Sequence, residues 1–150
     1  ELELKPGHVD FIQVAMPWAW GAREWKFGLS DQVDWHINVE TGASDTRLDL
    51  RNLRVVDLNV DTGASNTEIT LPANAGQTHV DVDGGAASIT LNIPEGVAAR
   101  IQVDSGLASI QIDRNRFPRV GEYYKSSDYE TAVNKVDINA DIGAGSLNIH

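Results

Sequence analysis

Three sets of side chains in this sequence have the types and the spacing to do chemistry. The first is Asp61-Thr62-Gly63-Ala64-Ser65, preceded by Leu58 and Val60. It reads like the loop that carries a catalytic aspartate in proteases whose two carboxylates share one proton, a chemistry that needs a second such carboxylate close by. The second is a row of acids, each two places before a recurring glycine: Glu40, Asp61, Asp83, Asp104 and Asp141. If equivalent strands lie over one another, these carboxylates form a column spaced about 4.8 Å apart. Like charges so close call for solvent screening or a cation, and calcium is the cation that other β-helical repeats hold. The third set stands six places before each glycine: His36, Asp57, His79, Arg100 and Asp137. Two imidazoles and a carboxylate hold zinc when they converge. A flat strand face aims its side chains in parallel, however, and Arg100 sits within the set, so a solvated mixed-charge face is the preferred reading.

The recurrence itself decides between these readings. The glycines are Gly42, Gly63, Gly85, Gly106 and Gly143, with intervals of 21, 22, 21 and 37 residues. A fixed period in the low twenties marks a stacked repeat, and the last interval is one repeat plus an insertion of 16. A reaction centre has no reason to be copied five times at one spacing, whereas a structural corner has. The chain is therefore expected not to be an enzyme. The acid is expected to accept from its own turn in an Asx arrangement, and the glycine to supply a backbone shape that other residues resist. No cofactor is expected, with calcium in the acid column as the alternative.

The elements that position this beat follow from period two. Ile37 and Val39, Leu58 and Val60, Val80 and Val82, Ile101 and Val103, and Ile138 and Ala140 lead into the five corners. Leu48 and Leu50, Ile69 and Leu71, Ile89 and Leu91, Ile110 and Ile112, and Leu147 and Ile149 follow them. Alternation places the apolar set on one face and the polar set on the other. On that polar face Asn38, Asn59, Asp81, Gln102 and Asn139 form a mainly amide row suited to hydrogen bonds along the stack. Pro72 to Gly76 and Pro94 to Gly96 break the strands between units. Two short strands cannot bury their apolar faces alone, so the predicted fold is all-β: a single-stranded parallel β-solenoid of about 21-residue repeats.

One domain over 1–150 is expected, with N-terminal strands and a cap at 1–34, repeats at 35–113, an insertion at 114–134 and the last repeat at 135–150. All four tryptophans lie at or before residue 35. They are read as an aromatic end cap, with Trp18, Trp20 and Trp25 as the sharper alternative, a binding platform. Ser127 with Glu130 makes a capping box and predicts a short helix over 128–134. The final strand, 146–150, is expected at an open edge.

Composition narrows the partners. Twenty-two acids against 12 bases give a net charge of −10, which argues against nucleic acid and against docking on anionic lipid. No cysteine is present, so no disulfide or thiolate metal site exists. No apolar run is long enough to span a membrane. The sequence opens inside a strand-like pattern, Glu1-Leu2-Glu3-Leu4, so membrane attachment is expected only through a segment absent from this chain.

Several of these motifs, in this order, resemble one family. Val39 to Ser44, Leu48 to Leu50, Val60 to Ser65, Ile93 to Val97, Gly121 to Tyr124, Tyr129 to Ala132 and Ile142 to Ile149 together look like the bacterial toast-rack domains. These are related to the C-terminal domain of LiaF-type cell-wall stress proteins and to adhesin-like β-solenoids. The resemblance covers about residues 23 to 149 and implies a membrane-linked cell-envelope protein. It carries over no catalytic residue. It implies a non-catalytic extracytoplasmic sensing or protein-interaction module. The alternative is a structural or adhesive subunit that self-associates end to end through open strand edges.

Overall fold

The alternating pattern becomes a column of buried side chains. The computed structural model describes residues 2–6, by their backbone, and residues 32–150. Among the described residues ten strands follow in order: β1 (Leu2–Pro6), β2 (Asp34–Thr41), β3 (Asp45–Asp49), β4 (Arg54–Thr62), β5 (Asn66–Thr70), β6 (Gln77–Asn92), β7 (Ala98–Ile112), β8 (Arg119–Val120), β9 (Tyr123–Lys125) and β10 (Lys135–Ile149). They form one open sheet in the order β1-β2-β4-β6-β10-β7-β9-β8, with β3 beside β5 and β5 beside β6. Every pairing among β2 to β7 and β10 is parallel. This is the all-β, unclosed, mostly parallel arrangement that a β-solenoid requires. Ile37, Leu58, Val80, Ile138 and Ile101 share one register and are buried. Beyond the corner, Ile69, Leu91 and Ile149 share another and are fully buried.

The stack does not follow the chain. The fifth repeat, β10, lies between the third and the fourth, pairing with β6 on one side and β7 on the other. The final strand is therefore interior, and the expectation that it forms an edge is wrong. The fit between β6 and β10 explains the order. At one corner position the five units carry Thr41, Thr62, Gly84, Ile142 and Ser105, and the only bulky residue is registered against the only glycine. Ile142 is fully buried, and a Cβ on Gly84 would come within 2.9 Å of its Cδ1. Three residues on, a Cβ on Gly145 would lie 2.0 Å from the Ala87 carbonyl oxygen. β10 is shaped to sit on β6, and β7 is displaced by one rung.

The excursion that permits this insertion contains no helix. Residues 114–134 hold the β8–β9 hairpin and a single turn, in which the Asp128 carbonyl accepts from the Thr131 N–H at 3.0 Å and the Ala132 N–H at 2.9 Å. A seven-residue helix has too little cooperativity to stand alone. Its residues have better partners elsewhere. Glu130 pairs with Lys125 at 3.1 Å, Tyr129 reaches across to Asp137, and the Asn134 side chain accepts from the Gly76 N–H. Phe117, from the same excursion, is fully buried in the core.

Candidate functional site

The recurring glycines lie in single file, in the order 42, 63, 85, 143, 106. The register pairs Glu40 with Asp61, Asp61 with Asp83, Asp83 with Asp141, and Asp141 with Asp104. The five acids thus make a continuous column on the exposed face. Four of them, with Asn38, Asn59, Asp81, Gln102 and Asn139, line an open groove of about 360 Å³. Along it the Asn139 amide donates to Asp81 of the adjacent rung at 3.0 Å, while the Asn38 amide donates to Glu40 of its own strand at 3.4 Å.

The corners work differently from the sequence reading in two respects. Among the described residues the glycines with positive φ are Gly76, Gly96, Gly121 and Gly145, none of which belongs to the beat. The beat glycines are needed because the rungs approach too closely for a side chain. A Cβ on Gly63 would lie 2.8 Å from the Gly42 oxygen, on Gly143 2.8 Å from Gly85, and on Gly106 2.8 Å from Gly143. The acids are also not consumed by their own turns. Corner amides donate to the neighbouring rung instead: Gly63 to Thr41 O at 2.9 Å, Ala64 to Gly42 O at 2.8 Å, and Ala86 to Gly63 O at 2.8 Å. The carboxylates are left facing solvent beside one another. Among the described residues no three His, Cys, Asp or Glu side chains converge to hold a metal ion; side chains on one strand face stand parallel.

Mutual repulsion along this column has a measurable consequence. Asp83 has an acidic neighbour on each side, Asp61 and Asp141, whereas Asp104 has one. Unit charges about 5 Å apart in water repel by somewhat under 1 kcal/mol. Asp83→Asn is expected to raise the Tm by roughly 1–3 °C at low salt, Asp104→Asn by about half as much, and both gains to vanish near 1 M salt, where the Debye length is about 3 Å. Thermal melts in a salt series check this.

The mixed-charge column also closes up in the observed order. In space it reads His36, Asp57, His79, Asp137, Arg100, so each basic side chain has an acid beside it. His36 Nδ1 lies 3.2 Å from Asp57 Oδ2, and Arg100 Nη2 donates to Asp137 Oδ1 at 2.7 Å. Asp137 was placed in this row by the repeat, but its role was not legible there. It is buried, and its Oδ1 also accepts from the Tyr129 hydroxyl at 2.6 Å, while Oδ2 accepts from Gln77 at 3.0 Å. The Tyr129 ring lies under the cations of Arg100 and Lys135, 5.4 and 5.5 Å from its centroid. Burial first, and the Asp137 hydrogen bond second, push the Tyr129 hydroxyl up to about 12. This cluster ties the excursion to the stack. Trp18, Trp20 and Trp25, the alternative platform, lie outside the described residues.

Residues 4–92, more than half of the chain, match the family profile described as the N-terminal domain of toast_rack, DUF2154. The chain belongs to the toast-rack family. A solved structure of similar shape is that of a candidate cell adhesion protein from Clostridium sporogenes, with a TM-score of 0.69 and 22% sequence identity. The alignment covers 86% of the toast-rack chain and 66% of that protein, so this chain spans somewhat less than two thirds of its neighbour's length. At this identity the likeness speaks for the fold. No curated protein matches the toast-rack chain in sequence.

Proposed function

We propose that this toast-rack domain is a non-catalytic interaction module of a bacterial cell-envelope protein, displayed outside the cytoplasm and acting in sensing or attachment. The observation that carries the reading is the form of the acidic groove. Its carboxylates stand in parallel at strand spacing on an open face, and its corner amides are already spent on neighbouring rungs. Such a surface offers recognition by charge and shape rather than an enclosed place to stabilise a transition state. Family membership and the adhesion assigned to the structural neighbour point the same way. The reading needs no cofactor.

Self-assembly is the second reading, and in its favour the second half of each end rung has no further ladder partner among the described residues. Continuous end-to-end stacking is opposed by two antiparallel strands: β1 lies along β2 at one end, and β9 lies along Arg100 and Ile101 of β7 at the other. The test of the main reading uses the full-length gene product with a tag inside this domain. Protease added to intact cells is expected to remove the tag, and cross-linking on intact cells to capture a protein partner. A tag protected until the cells are lysed would overturn the reading.

A further inference from the structure

The two ends of the stack are finished unequally. At both, the first half-rung is covered by an antiparallel strand, β1 over β2 and β9 over the start of β7. The second half-rungs have no further ladder partner among the described residues. At one end that bare edge is β3, where Asp45, Arg47 and Asp49 supply the charges that guard an edge against pairing. At the other it is Leu107-Ala108-Ser109-Ile110-Gln111-Ile112, six residues without a charge or a proline. Leu107 is 89% exposed, and Ala108, Ile110 and Ile112 are only partly covered. Their counterparts on the next rung inward, Leu147 and Ile149, are fully buried. Among the described residues this part of the β7 edge thus has no ladder partner, half-covered apolar side chains and no guard.

We infer that this edge accepts an extended strand from a partner protein, laid parallel to β7 as one more rung, and that the stack dictates the strand's sequence. This rests on the interaction reading above. Main-chain hydrogen bonds supply affinity in strand addition, and alternate side chains supply specificity. Four positions are constrained. Apolar residues must meet Ile110 and Ile112. A glycine must sit beside Gly106, because a Cβ would lie 2.8 Å from the previous rung's oxygen at Gly63, Gly143 and Gly106, and 3.2 Å from it at Gly85. Two places before that glycine the added residue extends the column that ends Asp83, Asp141, Asp104. There a lysine or arginine is attracted and an acid repelled. The partner strand therefore carries a basic residue, any residue, glycine, three further residues, then two apolar residues separated by one. Every rung of this chain has an acid at the first of these positions, so a second copy is the wrong occupant by charge.

The experiment uses two synthetic peptides with the sequence of Val103–Ile112. One has lysine in place of Asp104, and the other keeps the acid. Binding to the whole chain is followed by fluorescence anisotropy in low salt. The lysine peptide is expected to bind at least tenfold more tightly than the acidic one. Ile110→Lys, and separately Leu107→Lys at the fully exposed corner, are expected to weaken it by tenfold or more. The unchanged melting temperature of Leu107→Lys guards against a folding artefact. Equal binding of the two peptides, binding indifferent to both substitutions, or no binding would each overturn the proposal. So would a concentration-dependent dimer in light scattering that Leu107→Lys abolishes, which would give the edge to a second copy. If cross-linking on cells still captures a partner with both substitutions in place, the edge assignment fails while the interaction reading survives.

Discussion

Gly145→Ala is expected to prevent the domain from folding, or to destabilise it by more than about 4 kcal/mol, the range reached only by severe backbone or core defects. Two independent faults coincide there. The residue has φ +114°, a conformation that side-chain-bearing residues resist, and its added Cβ would lie 2.0 Å from the Ala87 oxygen and 2.8 Å from the Ala87 carbonyl carbon. Neither atom belongs to a flexible side chain, so relief requires β10 to lift off β6. The beat glycines give a graded control. Gly143→Ala meets the Gly85 oxygen at 2.8 Å without a φ penalty, and should cost about 2–3 kcal/mol as an overpacking defect. Among the described residues Gly42→Ala meets nothing within 4 Å and no rung lies beneath it, and it should stay within about 0.5 kcal/mol of wild type, as surface substitutions do. Urea unfolding of the three variants checks the series. A severe Gly42→Ala, or a harmless Gly143→Ala, would mean that the glycines serve local turn geometry instead of rung spacing.

The same glycines show what was legible in the sequence. Period-two alternation and a constant interval fix which residues share a column, because both depend only on local chain geometry and on burying one face. The acid, amide and mixed-charge columns follow directly, and the structure brings each together. Column order is a different matter. It depends on which two rungs fit face to face, and the signal is a pair of departures from the repeat, Gly84 and Ile142, 58 residues apart by the register that joins them. Averaging over repeats hides both. The helix predicted over 128–134 failed for a related reason. A capping box is a local preference worth about 1 kcal/mol, and tertiary partners for Tyr129, Glu130 and Asn134 outweighed it. Asp137 looks in the sequence like one more outer-face residue. Only the returning excursion buries it.

That burial makes Asp137→Ala the second large effect. Asp57, in the same column, is 43% exposed at the side chain and faces a His36 that is 49% exposed; its replacement by alanine should cost no more than about 1 kcal/mol, as surface ion pairs do. Asp137 is 8% exposed at the side chain and accepts from Arg100, Tyr129 and Gln77. Removing it leaves those donors without their acceptor in a poorly solvated place, an expected loss of about 3–5 kcal/mol. Alkaline pH separates the tyrosine's share. The Tyr129 hydroxyl titrates near 10 when unfolded and is pushed up to about 12 in the fold. Between those values the folded chain holds a proton that the unfolded chain has released. Stability is therefore fully present below pH 10 and falls as pH rises towards 12, by on the order of 2 kcal/mol at 1.36 kcal/mol per unit. Other tyrosines and the lysines titrate in every variant, so the quantity to measure is the difference between wild type and Tyr129→Phe. That difference should shrink steadily from pH 10 to 12. Because burial is the leading cause and the Asp137 hydrogen bond the second, Asp137→Ala should retain part of the alkaline slope while losing most of the stability at neutral pH. Two parallel alkaline curves for wild type and Tyr129→Phe would show that the hydroxyl is solvated; Arg100, Asp137 and Gln77 would then join rungs of the stack to one another, and the excursion would be held by Phe117, Ser126 and Asn134.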